Sequence, residues 1–188
     1  MSIQTRSNTE LLAILVGKRK ADKLYNHTLT SLFFAREGSC HYIKELAAAK
    51  ELVKRSLNEE IQQLDVLSSP AKVSEYLKLM LRGYEHEVFV TLFLDTQNRL
   101  ISTEELFRGT LTNTAVYPRE VVKRALFLNA GNVIFAHNHP SGLATPSHAD
   151  KLLTETLKQA LALVDVKVLD HLVIGDTVAV SFAESGWL

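Results

Sequence analysis

The sequence predicts an α/β or α+β domain preceded by a small all-helical segment. Three observations carry this. Residues 1–65 show only helix-type spacing, whereas from residue 66 short apolar runs alternate with amphipathic stretches. The runs EVFVTLFLD and NVIFA are too short for helices and rich in β-branched and aromatic residues, as buried strands are. Apolar residues make up 46% of 188, enough for a sizeable core.

In chain order, Ser7 with Glu10 three residues later reads as a capping box opening a helix through Val16. Helical spacing resumes at Leu24, Leu29 and Phe33, Gly38 interrupts it, and His41 to Leu57 is rich in strong helix formers. Ser69-Pro70 has the form of an N-cap followed by proline at the first helical position, opening a helix to about Tyr84. Strands follow at Glu87–Asp95 and Arg99–Phe107. Pro118 opens a helix ending near Ala130-Gly131, and Asn132–Ala136 is a short buried strand. A helix covers about Ser147–Val164, and two last strands, Val166–Ile174 and Thr177–Phe182, meet at a Gly175-Asp176 turn. The expected division is a helical segment over 1–65 and a mixed sheet domain over 66–188.

Twenty-one basic residues balance twenty-one acidic ones, and residues 1–65 carry ten Lys/Arg against eight Asp/Glu. Neither part has the basic excess of a domain that lives on phosphate contacts. Lys18-Arg19-Lys20, the one compact basic patch, reads as a solvated helix end. A single cysteine, Cys40, excludes an internal disulfide framework and reads as a small buried hydrophobe. No apolar run approaches the roughly 20 residues a membrane helix needs, and no secretory leader is evident, so a cytoplasmic protein is expected.

The chemistry concentrates in VIFAHNHPSGLATPSHAD, residues 133–150. His137 and His139, two apart at a strand end, present both imidazoles on one face. Pro140 and Gly142 turn the chain, so that Asp150 can approach both. Two imidazoles and one carboxylate suit zinc with one position left for water, although iron and other divalent metals accept the same donors. Ser147-x-x-Asp150 also reads as a helix cap, a role compatible with metal chemistry for Ser147 and less so for Asp150. A hydrolase needs a base as well, and Glu85, Glu87, Glu104, Glu105 and Glu120 all qualify by position. His171 reads as a core or supporting group rather than a ligand, and His148 as exposed. The tripeptide His137-Asn138-His139 is not an HNH nuclease signature, because such a site spreads its residues over two strands and a helix.

The run His-x-His-Pro followed by Ser-x-x-Asp resembles the JAMM motif of the JAB/MPN metalloenzyme superfamily. The fuller text HNHPSG…PS..D, with EVFVTLFLD, LFRGTL, YPREVVKRAL, LDHLVIG and SFAESGWL, is similar to the RadC branch of bacterial JAB-like proteins over roughly residues 66–188. The resemblance implies a curved mixed sheet flanked by helices, with Zn2+ held by His137, His139 and Asp150. It implies Glu87 as the group that polarises the water, with Glu85 and Glu120 as alternatives, and Ser147 as the donor to the oxyanion. The implied activity is zinc-dependent hydrolysis of a peptide or isopeptide bond in an unidentified protein or peptide substrate. The alternatives are a DNA-repair or recombination accessory protein without peptidase activity, and a non-catalytic scaffold. Full RadC-type proteins carry a glycine-containing helix-hairpin-helix near the N-terminus. Here ELLAILVG resembles its start, but the hairpin position reads KELAAAKELVKRS, a continuous helix, which counts against DNA binding by that route.

Overall fold

A computed structural model describes residues 2–35, 37–62, 66, 69–109 and 115–188. Asp65, at the expected domain boundary, and Thr110 and Leu111 of LFRGTL lie outside these. The chain forms two compact units, Met1–Ser56 and Leu57–Leu188.

The first unit contains helices α1 (Asn8–Val16), α2 (Lys18–Ala21), α3 (Leu29–Phe33) and most of α4 (Lys44–Gln62), after a 3-10 turn at Ile3–Thr5. The Ser7–Glu10 capping box is present in both directions: Ser7 Oγ accepts the Glu10 N–H, and Glu10 accepts the Ser7 N–H. Leu12, Val16, Ala21, Leu32 and Leu46 form its small core. Cys40 departs from expectation. It is exposed, beside His41 at 3.1 Å, because it sits in a turn before α4 that brings no apolar cover to the sulfur. KELAAAKELVKRS is one uninterrupted stretch of α4, as its helix formers predict.

The second unit is built on five strands: β1 (Val88–Leu94), β2 (Leu100–Arg108), β3 (Asn132–Asn138), β4 (Lys167–Ile174) and β5 (Ala179–Ser181). Their order is β2-β1-β3-β4-β5. β3 and β4 are parallel, and every other neighbouring pair is antiparallel. Parallel strands need a crossover, and α7 (His148–Ala162) supplies it. Helices α5 (Pro70–Leu81) and α6 (Pro118–Phe127) complete the unit. Ser69 precedes α5 without capping it through its side chain, since its backbone has left the extended conformation a cap requires.

Period-2 alternation divides the core between the two faces of the sheet. Val88, Val90, Leu92, Leu94, Ile134 and Ala136 pack with Val73, Leu77 and Leu81 of α5. Phe89, Phe93, Val133 and Phe135 pack with Val121 and Ala125 of α6 and Leu157 and Leu161 of α7. Central strands β1 and β3 are buried along their whole length, which explains their continuous apolar text. Among the described residues, no helix is long and apolar enough to cross a membrane.

Candidate metal centre

β3 runs two residues further than its apolar run, so His137 lies inside the strand and His139 just beyond it. The chain then turns through Pro140–Gly142. Gly142 has φ +80° and closes on the β4–β5 turn, its carbonyl accepting the Asp176 N–H at 3.0 Å. The turn carries the Leu143 carbonyl to His139, whose Nδ1–H donates to it at 2.8 Å. That bond leaves the lone pair of His139 on Nε2.

Ser147 caps α7, and Asp150 completes the reciprocal box. Ser147 Oγ accepts the Asp150 N–H at 3.1 Å, while the Ser147 N–H and hydroxyl both donate to Asp150 Oδ2, at 2.6 and 2.7 Å. The capping arrangement and the approach to the histidines therefore coexist in Asp150, against the expectation that they compete. Oδ2 holds the cap, and Oδ1 lies 3.4 Å from His137 Nε2. His139 Nε2 is 3.5 Å from Oδ2 and 3.0 Å from His137 Nε2.

The donor set fits a divalent metal. The potential ligand atoms of His137, His139 and Asp150 all lie within 4.8 Å of one another. The ligand–ligand edge of a tetrahedron with zinc–nitrogen bonds of 2.0–2.1 Å is about 3.3 Å, close to the two His–Asp separations. Two imidazole nitrogens 3.0 Å apart cannot both present lone pairs without a cation or a proton between them. The pKa of His139 is raised, chiefly by its hydrogen bond with Asp150 and against the effect of burial. Burial pushes the Asp150 carboxyl up, but the two imidazoles facing it outweigh this and hold it far below the usual carboxylate range.

The register of the sheet brings in Glu87. Phe89 pairs with His137 across β1 and β3, and continuing that antiparallel register by two places Glu87 opposite His139, on the same face. Asn138 fastens this end of the sheet. Its Oδ1 accepts the Val88 N–H at 2.9 Å, and its Nδ2 donates to the His86 carbonyl at 3.0 Å, so one side chain grips the backbone on both sides of Glu87. Glu87, His137 and Asp150 share the wall of a cavity of about 220 Å³ with Phe89, Val116 and Leu153.

Glu104, Glu105 and Glu120 are engaged by basic residues. Glu104 is held by two bonds of 2.6 Å from Arg124, and Glu105 by Arg108 at 2.7 Å. Glu120 is flanked by Arg119 and Lys123 at the start of α6. Glu85 lines a second hollow with His139, Pro140 and Asp176. His148 is exposed. His171 on β4 is fully buried, and burial pushes its pKa well below the ordinary imidazole value, with the neighbouring His137 adding to the effect. It contacts His137, a supporting position.

Sequence reasoning missed Asn138, the Leu143 carbonyl and Thr154, whose hydroxyl oxygen lies 2.6 Å from His171 Nδ1. Alternation along β3 shows that Asn138 faces away from the two histidines. No local pattern reveals partners 50 and 52 residues distant.

Comparison with known proteins agrees with this geometry. Residues 67–187 match the family model of the RadC-like JAB domain. The chain is 52% identical to a UPF0758 protein of Nitrosospira multiformis, with the alignment spanning 96% of this chain and 88% of the relative. It is 62% identical to a UPF0758 protein of Nitrosomonas europaea over the same shares. A UPF0758 protein of a Polaromonas species is 62% identical over 77% of this chain and 64% of its own length. With a matched domain covering most of the sequence, and relatives this similar along nearly all of it, the chain belongs to the RadC-like JAB domain family.

Proposed function

We propose that this chain is a zinc-dependent hydrolase of a peptide or isopeptide bond. The observation that carries the reading is the convergence of the ligand atoms of His137, His139 and Asp150, with His137 and Asp150 sharing one cavity wall with Glu87. Three protein donors and an open side match the composition of catalytic rather than structural zinc sites. When bound, the metal supplies a Lewis acid that polarises a carbonyl and makes a water acidic near neutral pH.

The protein's own groups do the rest. Glu87 takes a proton from the attacking water and delivers it to the departing nitrogen. Ser147 has its hydroxyl hydrogen on Asp150 Oδ2; rotation about one bond turns it toward the substrate oxygen as that atom gains charge. Phe89, Val116 and Leu153 form an apolar wall that seats an aliphatic part of the substrate and excludes bulk water. Asp150 and His139 Nδ1, each fixed by hydrogen bonds to the chain, hold the donors in place without reorganisation.

Elemental mass spectrometry of the purified protein, beside His137→Ala and Asp150→Ala, tests the metal. The expected result is about one zinc per chain, lost in both variants. Glu87→Gln then tests the base on peptide and isopeptide substrates: it should keep the metal and lose turnover by roughly 10²–10⁴-fold. A protein that takes up no zinc when offered it, or a Glu87→Gln variant with wild-type turnover, would overturn the reading.

A further inference from the structure

We infer that Thr154 and His171 form a proton-ordered relay that dictates which nitrogen of His137 carries the lone pair facing the donor cluster. The inference rests on the proposed role of His137 as a ligand, but the relay is a property of the metal-free chain and is testable there.

The order of protons follows from the inventory of donors and acceptors. Thr154, in the second turn of α7, is 3% exposed, and its hydroxyl oxygen lies 2.6 Å from the carbonyl oxygen of Asp150. A carbonyl only accepts, so the single hydroxyl hydrogen goes there. The same hydroxyl oxygen lies 2.6 Å from His171 Nδ1. With its hydrogen already used, it can only accept, so His171 carries a hydrogen on Nδ1. The ring of His171 is 0% exposed and packed among Phe89, Phe135 and Phe182, with centroids 5.6, 5.9 and 4.9 Å away. The adjacent Asp170 carboxylate turns away from the ring, toward Ser181 and the backbone of His171 and Ala183. A ring so enclosed is neutral, and a neutral ring with hydrogen on Nδ1 has its lone pair on Nε2.

That Nε2 lies 2.8 Å from His137 Nδ1. His137 must therefore donate from Nδ1, and its own lone pair is left on Nε2, the atom facing His139 and Asp150. Four groups are linked in sequence: the Asp150 carbonyl, the Thr154 hydroxyl, His171 and His137. The chain starts and ends on proposed ligands, so the helix that contributes the carboxylate also sets the tautomer of the imidazole from the strand. Metal-binding histidines are usually backed by a carboxylate, a carbonyl or water. Here a neutral imidazole does it, so His137 gains orientation without an added negative charge behind it.

The test uses the full chain. In metal-free protein, long-range ¹⁵N–¹H correlation spectra of the imidazoles should show both His171 and His137 as Nδ1–H tautomers. Thr154→Val keeps the shape of the side chain and deletes the acceptor; it should shift His171 toward a tautomer mixture. Zinc affinity, measured by competition with a chromophoric chelator, should fall 10–100-fold in Thr154→Val and in His171→Phe. Thr154→Ser restores the hydroxyl and should hold affinity within about threefold of wild type, which loss of a purely structural contact would not predict. A wild-type spectrum with His171 protonated on Nε2 would overturn the relay even if every variant misfolded. Wild-type zinc affinity in a folded Thr154→Val would overturn it as well. A wild type that binds no zinc yet shows the expected tautomers would refute the hydrolase reading and leave the relay standing.

Discussion

Asp150→Asn separates folding from metal binding, because Asp150 serves both through different atoms. The Asp150 N–H to Ser147 Oγ bond uses the main chain and survives the substitution. Asparagine's carbonyl can still accept the Ser147 N–H that Oδ2 now accepts at 2.6 Å. The same oxygen can accept the Ser147 hydroxyl, so what is lost is the charge on those two bonds and the favourable placement of an anion in the first turn of α7. Removing the charge from these two bonds costs on the order of 1 kcal/mol, and the helix-end term adds about 0.3–1 kcal/mol. A loss of about 1–2 kcal/mol lowers the Tm of a unit this size by roughly 4–10 °C, within the stability of ordinary domains. The metal effect is larger. Altering groups that merely orient ligands costs 10–100-fold in affinity, so removing the one anionic donor should cost more than about 100-fold. Zinc at 100 times the wild-type Kd stabilises the wild type by about 2.7 kcal/mol; at that concentration the variant gains at most about 0.4 kcal/mol. Thermal melts with and without zinc read both numbers at once. A zinc-induced Tm rise equal to that of wild type would show that Asp150 is not a ligand.

The metal-free site should also respond to pH. The lowered pKa of Asp150 contributes stability that is present above its unfolded value of about 3.9 and lost as pH falls below it. The raised pKa of His139 contributes stability present below about 6.5 and lost as pH rises through its folded value. The metal-free protein should therefore be most stabilised by this pair between about pH 4 and 6.5, and zinc binding at pH 6.5 should release protons. Calorimetry in buffers of different ionisation enthalpy checks this, and identical heats in all of them would contradict it. Gly142→Ala should cost about 1–3 kcal/mol, since a Cβ at φ +80° would lie 2.6 Å from Asp176 Oδ2. By moving the Leu143 carbonyl off His139 it should also weaken zinc at least 10-fold; unchanged chelator competition would refute that link. Asn138→Leu strands the Val88 N–H and the His86 carbonyl and should cost about 2 kcal/mol by thermal melt. Because Glu87 sits between those two residues, turnover should fall while zinc content stays; full turnover would show that Asn138 does not position Glu87.

The sequence by itself determined what depends on neighbours a few residues apart. The apolar runs of β1 and β3 gave buried strands, Ser7-x-x-Glu10 and Ser147-x-x-Asp150 gave reciprocal caps, and the two-residue spacing of His137 and His139 gave a shared face. Each is a local period or a short-range bond, written in consecutive residues. The tertiary structure decided what depends on register. The approach of Glu87 to the histidines follows from pairing Phe89 with His137, a contact between segments 48 positions apart that no local pattern encodes. The burial of His171 against Thr154, and the grip of Asn138 on the backbone around Glu87, likewise arise only when β1, β3, β4 and α7 converge. Cys40 errs for the same reason, since residue type predicts burial only on average and the fold brings no apolar cover to its turn. Donor identities are chemical and local, whereas their mutual geometry and proton order are set by packing between distant segments.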